Sequence, residues 1–272
     1  MTTTTDQTIT PDPVPGPGRD QADGGDPGDL TPAERRSVQR KARTAGVLYL
    51  IIFLAGPFAF MLGRTSPVVP GDAATTAANI VESETMFRVG MVAETIVFGV
   101  EIVLAAILYV LLRPVSRSIS LAAAFARFGE AVVQAVNLVT GGIVLALLSG
   151  AGYLAAFETE QLDALAMLFV DMNGFLVMVW GLLFGFHLAM LGWLVHRSGF
   201  WPRILGALLM VASAGYLAQS YGHLVAPRFD DTLDIVVQVL AIPAELAFTV
   251  WLLWKGIDTE RWARRHRDAA QL

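Results

Sequence analysis

The chain has 272 residues, 54% of them hydrophobic and 16% charged, with a mean hydropathy of +0.56; a soluble domain carries about a quarter charged residues, so an ordinary globular enzyme is excluded. With no cysteine, disulfides, thiolate nucleophiles, iron–sulfur clusters and thiolate zinc sites are excluded too. The net charge of −5 resides wholly in residues 1–29, where six aspartates face Arg19 alone, and no basic, aromatic-interleaved face supports nucleic-acid binding.

Residues 1–29 are dominated by Pro, Gly, Asp and Thr and have little to bury, so an acidic disordered tail is expected over 1–40. It lacks a basic segment leading directly into a short apolar core, so the first apolar stretch is expected to be a retained helix rather than a signal peptide. Six stretches reach the roughly 20 apolar residues that cross the hydrocarbon layer: 44–63, 88–112, 120–148, 171–195, 203–225 and 232–255. Helix breakers lie between them: Pro67, Pro70 and Gly71; Pro114; Gly150; Gly199 with Pro202; and Pro227.

Basic residues set the orientation. Arg35, Arg36, Arg40, Lys41 and Arg43 precede the first span, Arg113 and Arg117 follow the second, Arg197 and Arg203 follow the fourth, and Lys255, Arg261, Arg264, Arg265 and Arg267 follow the sixth. The opposite loops hold Arg64, Arg88 and Arg228, so positive-inside logic places both termini in the cytoplasm. Two of those opposite loops read as partly helical, with Asp72 and Thr159 as caps. They are either interfacial helices covering the bundle or a lid over a cavity. The six tryptophans read as interfacial anchors.

The stretch VPGDAATTAANIVESETMFRVG at 69–90 resembles the bacterial domain-of-unknown-function 4386 family, as do LYVLLRPVSRSISLAAAFARFGEAVVQAVN at 108–137 and FHLAMLGWLVHRSGFWPRILGALLMVASAGYL at 186–217. The similarity runs from about 42 to 256 and leaves out both tails. It implies a bacterial multi-helix membrane protein of unassigned activity and carries over no catalytic residues.

Ionisable groups inside a bilayer are costly and face the bundle interior, which makes them the first site candidates. Glu101 and Glu94 are seven residues apart on one helix face, and Glu130, Gln134 and Asn137 share another face with Arg127. At about 1.5 Å per residue, Glu101, Arg127, Glu130, His187 and Glu245 all fall roughly 10–16 Å from the cytoplasmic end. They form one layer from four helices, with Ser213 near the same depth. Three carboxylates and one fixed cation cannot all stay ionised cheaply, so one must hold a proton or a cation must join them. The functional reading is a ligand or ion site made by Glu101, Arg127, Glu130, His187 and Glu245, with Glu94, Gln134 and Asn137 as secondary polar residues. The alternative is polar adhesion between helices, at about 0.6–2 kcal/mol per hydrogen bond, in a membrane scaffold or accessory subunit.

Other constellations are weaker. Gly181 and Gly185 favour close helix packing. His187 and His223 lie too far apart along the membrane normal for a bis-histidine haem. Neither a serine nucleophile with a placed histidine nor a metal-ligand spacing is present. The expectation is therefore an all-α membrane protein: six transmembrane helices in one bundle, both termini cytoplasmic. It divides into a tail at 1–40, a membrane domain at 41–256 and a basic cytoplasmic C-terminal tail at 257–272. Its place is the inner membrane of a bacterial cell and its partners are the lipid bilayer and a small solute or ion. No cofactor and no metal are expected.

Overall fold

The computed structural model describes residues 30–271, so the expected disorder of residues 1–29 lies outside the described residues. Among the described residues there is no strand, and six helices are long and apolar enough to span a membrane. The spans predicted from hydropathy are all there, in order, and most run longer than their apolar cores.

Helix α1 (Pro32–Pro57) starts well ahead of its apolar stretch, inside the segment that composition had assigned to the tail. The local reason is a capping box: Thr31 Oγ1 accepts from the Glu34 N–H, the Glu34 carboxylate accepts from the Thr31 N–H, and Pro32 stands where a missing N–H costs nothing. At Pro57, which has no N–H for the helical ladder, α1 gives way to a π-helical stretch, Phe58–Thr65. Helix α2 (Ala73–Glu82) is capped by Asp72, as its sequence predicted. Helix α3 (Glu84–Leu112) and α4 (Arg117–Leu147) follow, separated by the Arg113–Pro114 break and by the Ser116 cap.

Helix α5 (Thr159–Ser198) has 40 residues and so a length of about 60 Å, twice the hydrocarbon thickness. Its first turns are the segment read as a separate loop helix; they are continuous with the fourth span. The chain reverses at Gly199, whose φ of 76° suits glycine, and enters α6 (Arg203–Val225) through Pro202. Helix α7 (Asp230–Trp254) returns, and Gly256 turns the chain into α8 (Thr259–Ala270).

The spans form a ring in chain order. Each of α3, α4, α5 and α6 packs against the next, and α1 closes the ring by touching both α3 and α7. Both ends of the described chain lie at one end of the bundle, called basal below: Gln39 donates from Nε2 to the Lys255 carbonyl and accepts the Ile257 N–H. The C-terminal helix docks on protein there. Trp262 is buried and donates its indole N–H to the Leu111 carbonyl at 2.8 Å.

Small residues set the closest approaches. Along α5 and α6, a Cβ at Gly185 would stand 2.8 Å from Leu217, and one at Gly192 would stand 2.8 Å from the Gly206 carbonyl oxygen. At the distal end, a Cβ on Gly63 would run into the Cα of Gly90 on α3. A second small core made by Ile80, Phe87, Val144 and Ala166 holds α2 against the distal part of α5.

Candidate functional site

The ring encloses a cavity of about 700 Å³ that runs from the distal rim down to the middle of the bundle. Helix α1 contributes Tyr49 and Phe53, α3 contributes Glu94 and Glu101, and α4 contributes Arg127, Gln134 and Asn137. Trp180 and Phe184 come from α5, Tyr216 from α6, and Glu245 from α7. From Asp234 at the rim to Glu245 at the floor is eleven residues of one helix, about 16 Å.

The aromatic wall is continuous. Trp180 stacks on Phe184 with ring centroids 5.0 Å apart, and Tyr216 meets Phe184 edge-on at 4.8 Å. Below them the Arg127 guanidinium lies over two ring faces, 5.2 Å from the Tyr49 centroid and 5.5 Å from that of Phe184. Arg127 is 1% exposed, and its Nε and Nη1 have no hydrogen-bond partner. Glu101, Glu130 and Glu245 all act on it electrostatically, yet no carboxylate lies within the 4.0 Å of an ion pair with it among the described residues. The four carboxylate oxygens of Glu101 and Glu130 are likewise buried without a hydrogen bond.

The layer thus comes together, but its members hold different places. Glu101 and Arg127 form part of the cavity wall, whereas Glu130 and His187 stand behind it and do not line it. His187 bonds the Ala123 carbonyl through Nδ1 at 2.8 Å; a carbonyl only accepts, so that nitrogen carries the proton and Nε2 is left without a partner. Glu245 is half-buried and faces the cavity, and its Oε1 accepts from the Tyr216 hydroxyl at 3.2 Å. Ser213, expected near the layer, donates to the Gly185 carbonyl at 2.7 Å and serves helix packing.

Two of the three secondary residues, Glu94 and Asn137, belong to a separate polar network toward the distal end. Arg64 Nη1 lies 3.4 Å from both oxygens of Glu94, with side-chain exposures of 3% and 6%. Its Nη2 donates to Thr140 Oγ1 at 3.1 Å. Thr140 donates to the Asn137 carbonyl, and Asn173 donates to Asn137 Oδ1. The assignment of Arg64 to a loop is therefore corrected: it is a buried residue at the end of the π-helical stretch. Gln134 joins neither network through a hydrogen bond at Oε1, which is buried and unpartnered.

Sequence reasoning also missed the aromatic wall. Trp180 lines the cavity, and Trp201 is buried with its N–H on the Gly256 carbonyl, so neither is an interfacial anchor. Trp254, 74% exposed, fits that role. The lid reading of the two distal segments is overturned as well, since no residue of 73–82 or 159–170 lines the cavity. At the rim, His223 Nδ1 meets Asp230 Oδ2 at 2.8 Å and Gln219 donates to Asp234 at 2.7 Å. Among the described residues no cluster of His, Asp and Glu is arranged to hold a metal ion.

The family described as "Domain of unknown function (DUF4386)" matches residues 44–256, and the chain belongs to it. An uncharacterized protein from Archaeoglobus fulgidus is 30% identical over 156 residues, which cover 57% of this chain and 76% of that relative. No solved structure matches the chain at a significant level.

Proposed function

We propose that this DUF4386 member binds a small organic solute inside the bundle, in a cytoplasmic membrane, with the basal end and both termini on the cytoplasmic side. The orientation rests on charge: the basal connections and ends carry most of the Lys and Arg residues. At the distal end Arg64 is spent in an internal ion pair, which leaves Arg88 and Arg228 there. The binding reading rests on one observation, the cavity itself. Its volume of about 700 Å³ falls in the range of small-molecule sites, roughly 300–1,000 Å³, and it combines aromatic walls with a few convergent polar groups, as such sites do.

In this reading Glu245 and the Tyr216 hydroxyl are the polar contacts offered to the solute. Glu101, Arg127, Glu130 and His187 set the field beneath them. The test is the thermal midpoint of the purified protein against a panel of ions, amines, carboxylates and lipids. A ligand at 100 times its Kd adds about 2.7 kcal/mol, and that gain disappears in Glu245→Gln. A panel that leaves the wild type unmoved, with Glu101→Gln and Glu245→Gln changing only stability, assigns the layer to adhesion between helices in a scaffold.

A further inference from the structure

The ring of helices closes unevenly between α1 and α7. In the basal half α1 and α7 touch closely: Gln39 bonds Lys255, a Cβ on Gly46 would stand 3.0 Å from Leu252 Cβ, and the rings of Tyr49 and Phe248 meet edge-on at 5.8 Å. Further along, both sides line the cavity, from Ile52 to Pro57 on α1 and on to Met61 in its π-helical continuation, and from Asp230 to Glu245 on α7. Two features hold the distal end of α1 away from α7. Gly63 lies against Gly90 of α3, and Arg64 reaches Glu94 of α3 and Thr140 of α4. Helix α1 therefore leans from α7 at the basal end to α3 at the distal end. The resulting cleft is edged by apolar residues on the outer surface of the bundle: Phe60 is 40% exposed, Met61 64% and Ile242 46%. At this depth the surroundings of such residues are lipid.

The charge inside narrows the ligand class. Arg127 and Glu101 are part of the cavity wall, but the Glu101 oxygens and Arg127 Nε and Nη1 are buried, and Glu130, behind the wall, adds a second carboxylate that acts on Arg127. Glu245 is half-buried and faces the cavity at its floor, where its Oε1 accepts from the Tyr216 hydroxyl, and Trp180 and Phe184 line the same cavity. A positive charge spread over an apolar body suits a carboxylate flanked by aromatic rings and is the kind of ion that enters a bilayer interior. A compact hydrated cation does not.

We propose that the cavity takes a lipophilic organic monocation, which enters sideways from the bilayer through the α1/α7 cleft and places its charge at Glu245. This rests on the reading of the cavity as a binding site and adds the ligand class and the route.

The experiment measures saturable binding to the full chain in lipid nanodiscs with three probes. Tetraphenylphosphonium has the proposed chemistry, tetraphenylborate has the same shape with opposite charge, and tetramethylammonium is a cation that stays in water. Tetraphenylphosphonium should bind saturably, the other two at least 100-fold more weakly, and Glu245→Gln should weaken the phosphonium at least tenfold. Gly56 lines the cleft, and a Cβ there meets nothing within 4 Å, so Gly56→Trp should fold and obstruct the entrance. It should weaken phosphonium binding at least tenfold, as should Ile242→Trp from the other side. Gly142, whose Cβ position is also open and which does not line the cavity, supplies Gly142→Trp as the control that binds like the wild type. Equal binding of the borate overturns the ligand class. Unchanged phosphonium binding in both Gly56→Trp and Ile242→Trp overturns the route. Saturable binding of tetramethylammonium alone overturns both and leaves the cavity a binding site, whereas the failure of every probe here and in the wider panel removes the binding site itself.

Discussion

The Arg64–Glu94 pair ties the distal end of α1 to α3, and its strength can be measured by a double-mutant cycle. At 3.4 Å the direct attraction is about 5 kcal/mol with an effective dielectric of 20. Desolvation of two side chains that are 3% and 6% exposed offsets much of that gain. Arg64→Met alone leaves the Glu94 carboxylate buried without its cation and should destabilise the protein by about 3–5 kcal/mol. It also removes the donor to Thr140 and the guanidinium over Phe87, 5.1 Å from the ring centroid. Glu94→Leu alone should cost a similar amount, because Arg64 would keep only Thr140 and Phe87. The double variant loses both charges together, so its cost should fall short of the sum of the singles by at least about 2 kcal/mol. Reversible unfolding of the refolded protein in mixed detergent micelles, followed by tryptophan fluorescence, reads all four corners. Additivity within about 0.5 kcal/mol would show that the two residues are not coupled, and the account of how α1 is held away from α7 would fall with it.

Two further expectations concern local packing and capping. Gly63→Ala should destabilise by about 1–3 kcal/mol, as overpacking does, because the new methyl meets the Gly90 backbone. Gly142→Ala, which meets nothing within 4 Å, should stabilise its helix by up to about 1 kcal/mol; equal melting shifts of the same sign would refute the close approach. Asp72 accepts from the Thr75 N–H at 2.9 Å and from its hydroxyl at 2.7 Å, and these bonds hold its carboxyl below the usual value of 3.8. Its support of α2 is therefore fully present above that value and fades as pH falls through the lower folded-state value. Amide exchange over residues 73–76 should lose protection at pH 3 relative to pH 5. In Asp72→Asn, a non-titrating cap, that loss should vanish, and its persistence would place the titration elsewhere.

The six spans and the Asp72 cap were legible in sequence because their causes are local, whereas Thr159, read as a cap, is the first residue of α5 and Glu158 caps it. Backbone in hydrocarbon must satisfy its own hydrogen bonds, so each crossing needs a long apolar helix, and Asp72 and Gly199 act within one turn of where they stand; the Thr31 capping box, equally local, was overlooked inside the segment read as a tail. The common depth of Glu101, Arg127, Glu130, His187 and Glu245 was also legible, since helical rise alone determines it. Rotation of each helix was not legible. Lipid and a protein core are equally apolar, so a membrane helix carries little pattern to tell its inner face from its outer one. Trp180 and Trp201 consequently read as interfacial anchors although they are internal, and Arg64 read as a loop residue although it is buried against Glu94. Only tertiary contacts decided those places, and they also decided that Glu245 faces the cavity while Glu130 and His187 stand behind its wall. The physical reason is the tilt of α1: close contact of Gly46 with α7 at one end and of Gly63 with Gly90 at the other joins residues far apart in the chain, and that lean opens the cavity beside α7.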